Sequence, residues 1–169
     1  GLAPEQACLF NPLPFHHMSG LMPWGRSRCW GTTHVWLSPA QLKEPSTLLE
    51  CLSSLPDSAQ QPWLLSLVPT QLVRLLDDPS GLHWLQRFAL IWVGGAALPA
   101  TAAHQARQSG IRLAPCYGAT ETAAMVTALP PQRFLAGENG CGDALNDVEL
   151  RLLPNRALGV RTPRLALGS

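Results

Sequence analysis

At 169 residues and 46% hydrophobic composition, the chain can bury the core of one ordinary domain. Only 14% of it is charged, below the about 25% usual for a free-standing soluble domain, which predicts that other segments of a complete protein cover part of its surface. The net charge of +1, with twelve scattered Lys+Arg and no basic run, argues against a nucleic-acid partner.

Residues 6–11 (QACLFN) read as a short buried strand, and 12–20 (PLPFHHMSG) as a turn into a helix. Leu21, Trp24, Arg28 and Trp30 can share one face of that helix, with Gly25 weakening its middle and Gly31 stopping it. Residues 33–37 (THVWL) predict a second strand. Leu48, Leu49, Leu52 and Leu55 recur at helical spacing, and Ser46 or Thr47 can cap that helix. The run 62–68 (PWLLSLV) is a fully apolar strand, after which Pro69 opens a helix with Leu72, Leu75 and Leu76 inward. Residues 88–95 (FALIWVGG) predict another buried strand, Pro99 a helix that ends at Gly110, and 111–115 a short strand before CYGATE.

Strands alternating with helices predict an α/β fold: a largely parallel sheet covered by helices on both faces. Further on, AAMVTAL and DVELRLL read as strands without a full-length helix between them. The expected division is an α/β part over 1–128 and the start of a more antiparallel β subdomain over 129–169.

The five cysteines, Cys8, Cys29, Cys51, Cys116 and Cys141, show neither CxxC nor metal-ligand spacing, so free thiols in a reducing cytoplasm are expected. No apolar run reaches the ~18 residues of a membrane span, and residues 1–12 do not resemble a signal peptide. Both ends read as those of a piece of a longer protein.

In a doubly wound sheet, ligands sit at the carboxyl ends of the strands. PFHHMSG, VGGAALP and CYGATET all fall at such ends. Gly94-Gly95 would let the backbone pass close to a flat ligand, or simply form a tight turn. It belongs to no G-x-G-x-x-G fingerprint, and no P-loop occurs. Tyr117 offers a ring to stack on a purine, Gly118 a close backbone approach, Thr120 a hydroxyl for a phosphoryl oxygen and Glu121 a hard oxygen for Mg²⁺. The bland alternative is a cap with a solvated glutamate. His16-His17 reads either as a packed pair or as a functional group at a strand end.

These segments carry a resemblance. YGATE matches the Y-G-x-T-E motif of the adenylate-forming superfamily of acyl- and aryl-CoA ligases, luciferases and adenylation domains. GGAALP resembles its G-G-A-x-L-x segment and PFHHMSGL its F-H-x-x-G segment, in the same order, over nearly all of residues 6–153. The resemblance implies the large N-terminal domain of such an enzyme. Within the superfamily, the HxSGL wording, the VPTQL helix and the stretch after YGATETAAMVT most resemble the o-succinylbenzoate–CoA ligases of menaquinone and phylloquinone synthesis.

The implied chemistry is ATP-dependent activation of a small carboxylic acid as an acyl-adenylate, followed by thioester formation with coenzyme A. Carried over by position, Glu121 would bind Mg²⁺, and Thr120, Glu121 and His17 would form the catalytic set. Gly95, Ala96 and Ala97 would line one side of the adenine, with Tyr117 against its other face and Cys116 also among the nucleotide-binding residues. Gly118 and Ala119 would border the nucleotide and the reacting carboxylate, with Thr120 on a phosphate oxygen. His17, Ser19, Gly20, Gly94 and Val126 would line the acyl site, with His16 as second choice to His17. Ala97 departs from the proline often found there. The family's phosphate loop, ribose-binding Asp and C-terminal lysine have no counterpart here, so the chain alone is expected to be inactive. Other acyl- or aryl-acid–CoA ligases, carrier-protein adenylation domains and a non-catalytic nucleotide-binding module remain open alternatives.

Overall fold

The computed structural model describes residues 3–53 and 61–165. Strands and helices alternate through β1 (Cys8–Asn11), α1 (Met18–Trp30), β2 (Thr33–Trp36), α2 (Pro45–Ser53), β3 (Trp63–Leu67), α3 (Pro69–Leu76), α4 (Pro79–Leu85), β4 (Leu90–Val93) and α5 (Ala100–Gln108). They continue through β5 (Leu113–Ala119), β6 (Ala124–Ala128), α6 (Pro131–Leu135), β7 (Asp143–Ala144), β8 (Glu149–Leu152) and β9 (Leu158–Arg161).

Seven strands form one sheet in the order β2-β1-β3-β4-β5-β6-β7. The pairings from β2 to β5 are parallel. Those of β6 and β7 are antiparallel, because the turn after Ala119 is too short for the crossover that a parallel neighbour needs. The central strands β1 and β3 are buried along their whole length, as expected where a parallel sheet is covered. At the edge, β2 is half-exposed. Separately, β8 and β9 pair as an antiparallel hairpin.

The two faces are covered unequally. One carries the main core, where Leu48 of α2, Leu72 and Leu75 of α3, Trp84 of α4, Ala106 of α5 and Phe134 of α6 pack on the strands. Phe10, Trp84 and Phe88 interlock edge to face at its centre, with Phe10–Phe88 centroids 5.2 Å apart and Trp84–Phe88 centroids 4.6 Å apart. The other face carries Ala7, Leu9 and Leu64 under Trp30 of α1, beside Leu90 and Trp92.

Several boundaries differ from expectation. α1 begins at Met18 and runs through Pro23, which removes one backbone donor from its interior, and it stops as expected at Gly31 (φ 67°). Its expected Leu21–Trp24–Arg28 face is the outer one, with Leu21 and Trp24 exposed. α2 starts at Pro45, and the Thr47 hydroxyl donates to the Glu44 carbonyl at 2.8 Å instead of capping the helix. Leu55 lies outside the described residues. α4 was not expected: Asp78 caps it by accepting from the Gly81 N–H at 2.9 Å, with Pro79 at its first position. β5 continues through Ala119, so Tyr117 and Gly118 lie in a strand. β7 and β9 were also not foreseen.

Candidate functional site

The chain leaves β1 toward β2 on one side of the sheet and returns to β3 on the other, which makes β1/β3 the switch point at which such sheets open a crevice. A cleft of about 420 Å³ lies there, walled by segments that follow β1, β3, β4 and β5.

The segment after β1 is stapled by Asn11, which is fully buried. Its side-chain amide donates to the Gly20 carbonyl at 2.8 Å, and its side-chain oxygen accepts from the Leu13 N–H at 3.1 Å. The amide nitrogen also lies 3.3 Å from His34 Nε2, an acceptor when the imidazole is neutral. Burial pushes His34 below its ordinary value, which favours that neutral form. The staple holds His17 as the extended N-cap of α1, so the positive end of the helix dipole adjoins the cleft. His17, Met18 and Ser19 line the cleft. His16 and His17 are both exposed, with ring centroids 4.3 Å apart, and His16 is not among the lining residues. Gly20 is buried below the wall. A Cβ there would come within 2.6 Å of the Leu13 carbonyl oxygen and collide with that of Pro14, so its place is set by close backbone packing.

The turn after β4 brings Gly94 and Gly95 to the cleft. A Cβ on Gly94 would stand 2.8 Å from Cys116 Sγ, so the pair 94/116 requires a glycine beside that thiol. Gly95 has φ 86°, a left-handed conformation that a side chain would strain. Ala96 and Ala97 are exposed and are not among the lining residues. The Cys116 thiol donates to the Val93 carbonyl at 3.4 Å. Burial first, and the nearby Cys141 second, push it up to about 12, with Arg26 opposing them.

Residues Cys116 to Thr120 all line the cleft. Tyr117 keeps 46% of its surface exposed there, which leaves its ring available to a ligand. The ladder shifts register between Tyr117 and Gly118, and the chain then reverses tightly. The Thr122 hydroxyl accepts from the Ala119 N–H and donates to the Ala119 carbonyl, both at 3.0 Å, and Ala123 takes φ 50°. Glu121 is exposed on this turn next to Thr120. Val126 is fully buried and does not line the cleft, whereas Met125 does. Neighbouring strand residues point to opposite faces, so only one of the two can reach it.

Arg26 is the charged cleft residue that was not anticipated. Ser19, Met22 and Arg26 recur at helical spacing and form the α1 face that lines the cleft. The Arg26 guanidinium lies 4.9 Å from the Trp92 ring centroid and 5.5 Å from that of Trp30. Among the described residues no carboxylate forms an ion pair with it. Burial first and Arg164 second lower its pKa, though arginine stays protonated. The 19–22–26 spacing was the available signal, obscured by the more apolar Leu21–Trp24 face.

The model of the family described as "AMP-binding enzyme" matches residues 2–164. The chain belongs to the AMP-binding enzyme family. This family member is 24% identical over 148 residues to the 2-succinylbenzoate–CoA ligase of Geobacillus sp. (strain WCH70), covering 88% of its own length and 28% of that enzyme. Its fold matches E. coli MenE with a bound phenylether-linked analogue of OSB-AMS, at TM-score 0.71 and 30% identity over 96% of this chain and 32% of that one. It also matches o-succinylbenzoate coenzyme A synthetase (MenE) of Bacillus subtilis, in complex with ATP and magnesium ion, at TM-score 0.75 and 22% identity over 97% and 34% of the two chains. The chain thus spans about a third or less of the length of these relatives.

Among the described residues of this family member, no group of three His, Cys, Asp or Glu could hold a metal ion by itself. The single carboxylate of Glu121 suits Mg²⁺ only when substrate phosphates supply further ligands, which is the usual way Mg²⁺ is held. No helix among the described residues is long and apolar enough to cross a membrane.

Proposed function

We propose that the complete protein carrying this chain is an AMP-forming acid–CoA ligase that activates o-succinylbenzoate in menaquinone or phylloquinone synthesis. The observation that carries the reading is the meeting of His17, Gly94-Gly95 and Tyr117–Thr120 around one cleft whose wall also holds Arg26, which has no carboxylate partner among the described residues. Three segments distant in sequence converge where an α/β sheet takes its ligand. Arg26 favours an acid with a second carboxylate, and Trp92 beside it favours an aromatic one.

In the first step a carboxylate oxygen attacks the α-phosphorus of ATP, and the bond to pyrophosphate breaks. In the second, the coenzyme A sulfur attacks the adenylate carbonyl, its proton is lost, and the carbonyl–oxygen bond breaks to release AMP. Tyr117 stacks on the adenine, opposite the Gly95–Ala97 turn. Gly118 and Ala119 admit the nucleotide and the acid close to the backbone. Thr120 donates to a phosphate oxygen, and His17, at the positive end of α1, orients the carboxylate. Mg²⁺, held by Glu121 with the phosphates, would supply charge neutralisation at phosphorus. Ser19 and Met125 line the acyl end. The described free cysteines Cys8, Cys29, Cys116 and Cys141 suit a reducing cytoplasm. We also assign residues 1–128 to the α/β part and 129–169 to the start of a following β subdomain; the separate β8–β9 sheet supports a second unit, while α6 and β7 pack with the first sheet and its core.

The test is pyrophosphate release by the complete protein with o-succinylbenzoate, benzoate and medium-chain fatty acids in turn. The reading expects release with the first. Release with fatty acids alone would make it a different acyl ligase, and release with no acid would leave a nucleotide-binding module. Glu121→Gln is expected to lower turnover of Mg·ATP about 10- to 100-fold while leaving the melting temperature unchanged, since the side chain is exposed. Equal loss of folded protein and activity would contradict that role.

A further inference from the structure

β7 pairs with β6 only at Thr127 and Ala128. Past that pairing, the Leu145 N–H donates to the Val126 carbonyl at 2.9 Å. The next carbonyl, that of Met125, accepts from a side chain: the Arg164 guanidinium donates to it at 3.0 Å across 39 residues of sequence. Two further Arg164 nitrogens grip the two oxygens of Asp147, at 2.6 and 3.2 Å. The Thr162 hydroxyl donates to the same carboxylate at 3.4 Å. A planar guanidinium fixed at both ends in this way has little freedom left, so it acts as a strut and not as a loose surface charge. Only 28% of its side chain is exposed.

The strut ends on the cleft wall. Met125 lines the cleft and pairs with Gly118 across the β5–β6 ladder, just beyond the register shift that loosens that ladder. It also lies two residues past Ala123, whose left-handed backbone closes the turn bearing Thr120 and Glu121. Among the described residues the short β7 pairs with β6 only at Thr127 and Ala128, and Arg164 supplies a donor at Met125 beyond that pairing.

We propose that Arg164, held by Asp147, is a positioning residue for the acyl site: it fixes Met125 and the adjoining Thr120–Ala123 turn and couples the β8–β9 region to the cleft. The kinetic consequence rests on the ligase reading above, whereas the positional one does not. Arg164 touches no reacting atom, so its loss acts on where the acid sits.

The test uses the complete protein with Arg164→Ala, Arg164→Lys and Asp147→Asn. With o-succinylbenzoate, Arg164→Ala is expected to raise KM for the acid about tenfold and KM for ATP by only about two- to threefold, because the strut holds Met125 directly and the Thr120–Glu121 turn only through it. Arg164→Lys, which keeps one donor, is expected to recover part of that loss, and Asp147→Asn to follow Arg164→Ala. Amide hydrogen exchange provides the measurement independent of activity. It should quicken at residues 118–125 in Arg164→Ala and Asp147→Asn while staying unchanged in β1, β3 and β4. Unchanged exchange at 118–125 in both variants would overturn the proposal, even if no acid is turned over. Where an acid is turned over, equal losses with acid and ATP, or wild-type KM for the acid in both variants, would also overturn it. Should Arg164→Ala fail to fold, Asp147→Asn and Arg164→Lys carry the same comparison.

Discussion

Replacing Arg26 by glutamine separates a second-carboxylate anchor from a merely packed arginine. The guanidinium stacks on Trp92 and Trp30 in the cleft wall, and no described carboxylate pairs with it. A substrate carboxylate there would gain charge-assisted hydrogen bonds, whose loss costs about 2–3 kcal/mol at a partly desolvated site. That corresponds to a fall in kcat/KM of about 30- to 150-fold for o-succinylbenzoate. The same substitution also removes the contacts with the two tryptophans, worth about 0.5–1 kcal/mol each. Those losses fall on every substrate alike, so they cancel in a ratio. The assay is therefore pyrophosphate release with o-succinylbenzoate and with benzoylpropionate, the same skeleton without the ring carboxylate. The ratio of the two kcat/KM values should drop by the full 30- to 150-fold or so in Arg26→Gln, and by less in Arg26→Lys, which keeps the charge but loses the planar fork. An unchanged ratio, with both acids losing activity in parallel, would refute the anchor and leave Arg26 as a packing residue.

Gly94→Ala places a methyl 2.8 Å from Cys116 Sγ and should destabilise by about 1–3 kcal/mol in denaturant titrations, with Cys116→Ala in the same chain restoring most of the loss. An additive double mutant would contradict the contact. Asn11→Ala leaves the Gly20 carbonyl and the Leu13 N–H without their buried partner, for an expected loss of about 2–4 kcal/mol, read as a lower unfolding midpoint. Because burial depresses His34 below its ordinary 6.5, the folded chain resists a proton that the unfolded chain accepts. Its contribution is thus present above about pH 6.5 and is lost as pH falls through the lower folded value. His34→Gln should flatten the stability profile between pH 7 and 5, and identical profiles would exclude the effect.

The sheet was legible because its strands are written as continuous apolar runs. CLF in β1 and WLL in β3 are buried on both faces, LIWV in β4 is buried on one face and half-buried on the other, and the intervening helices follow from Pro69, Pro99 and their spaced leucines or alanines. Placement of the cleft segments at strand ends was legible for the same reason, since burial forces the chain to turn where the apolar run stops. The exceptions are instructive. Met125 and Val126 are adjacent and both apolar, and only the pleat of β6 against β5 decides which one faces the cleft. Gly20 stands in a motif-like stretch, yet the fold presses it onto the Leu13 and Pro14 carbonyls.

What the linear order of residues determined by itself was the α/β alternation and the chemistry available at each turn, because hydrophobic periodicity and residue type are local properties. Only the tertiary structure decided which of those groups share a cavity. The rotation of α1 that aims Arg26 at the cleft, and the reach of Arg164 back to Met125, depend on packing between segments far apart in the chain. Those contacts are set by shape and charge in three dimensions; the 19–22–26 spacing marks one possible helix face, and only packing selects it.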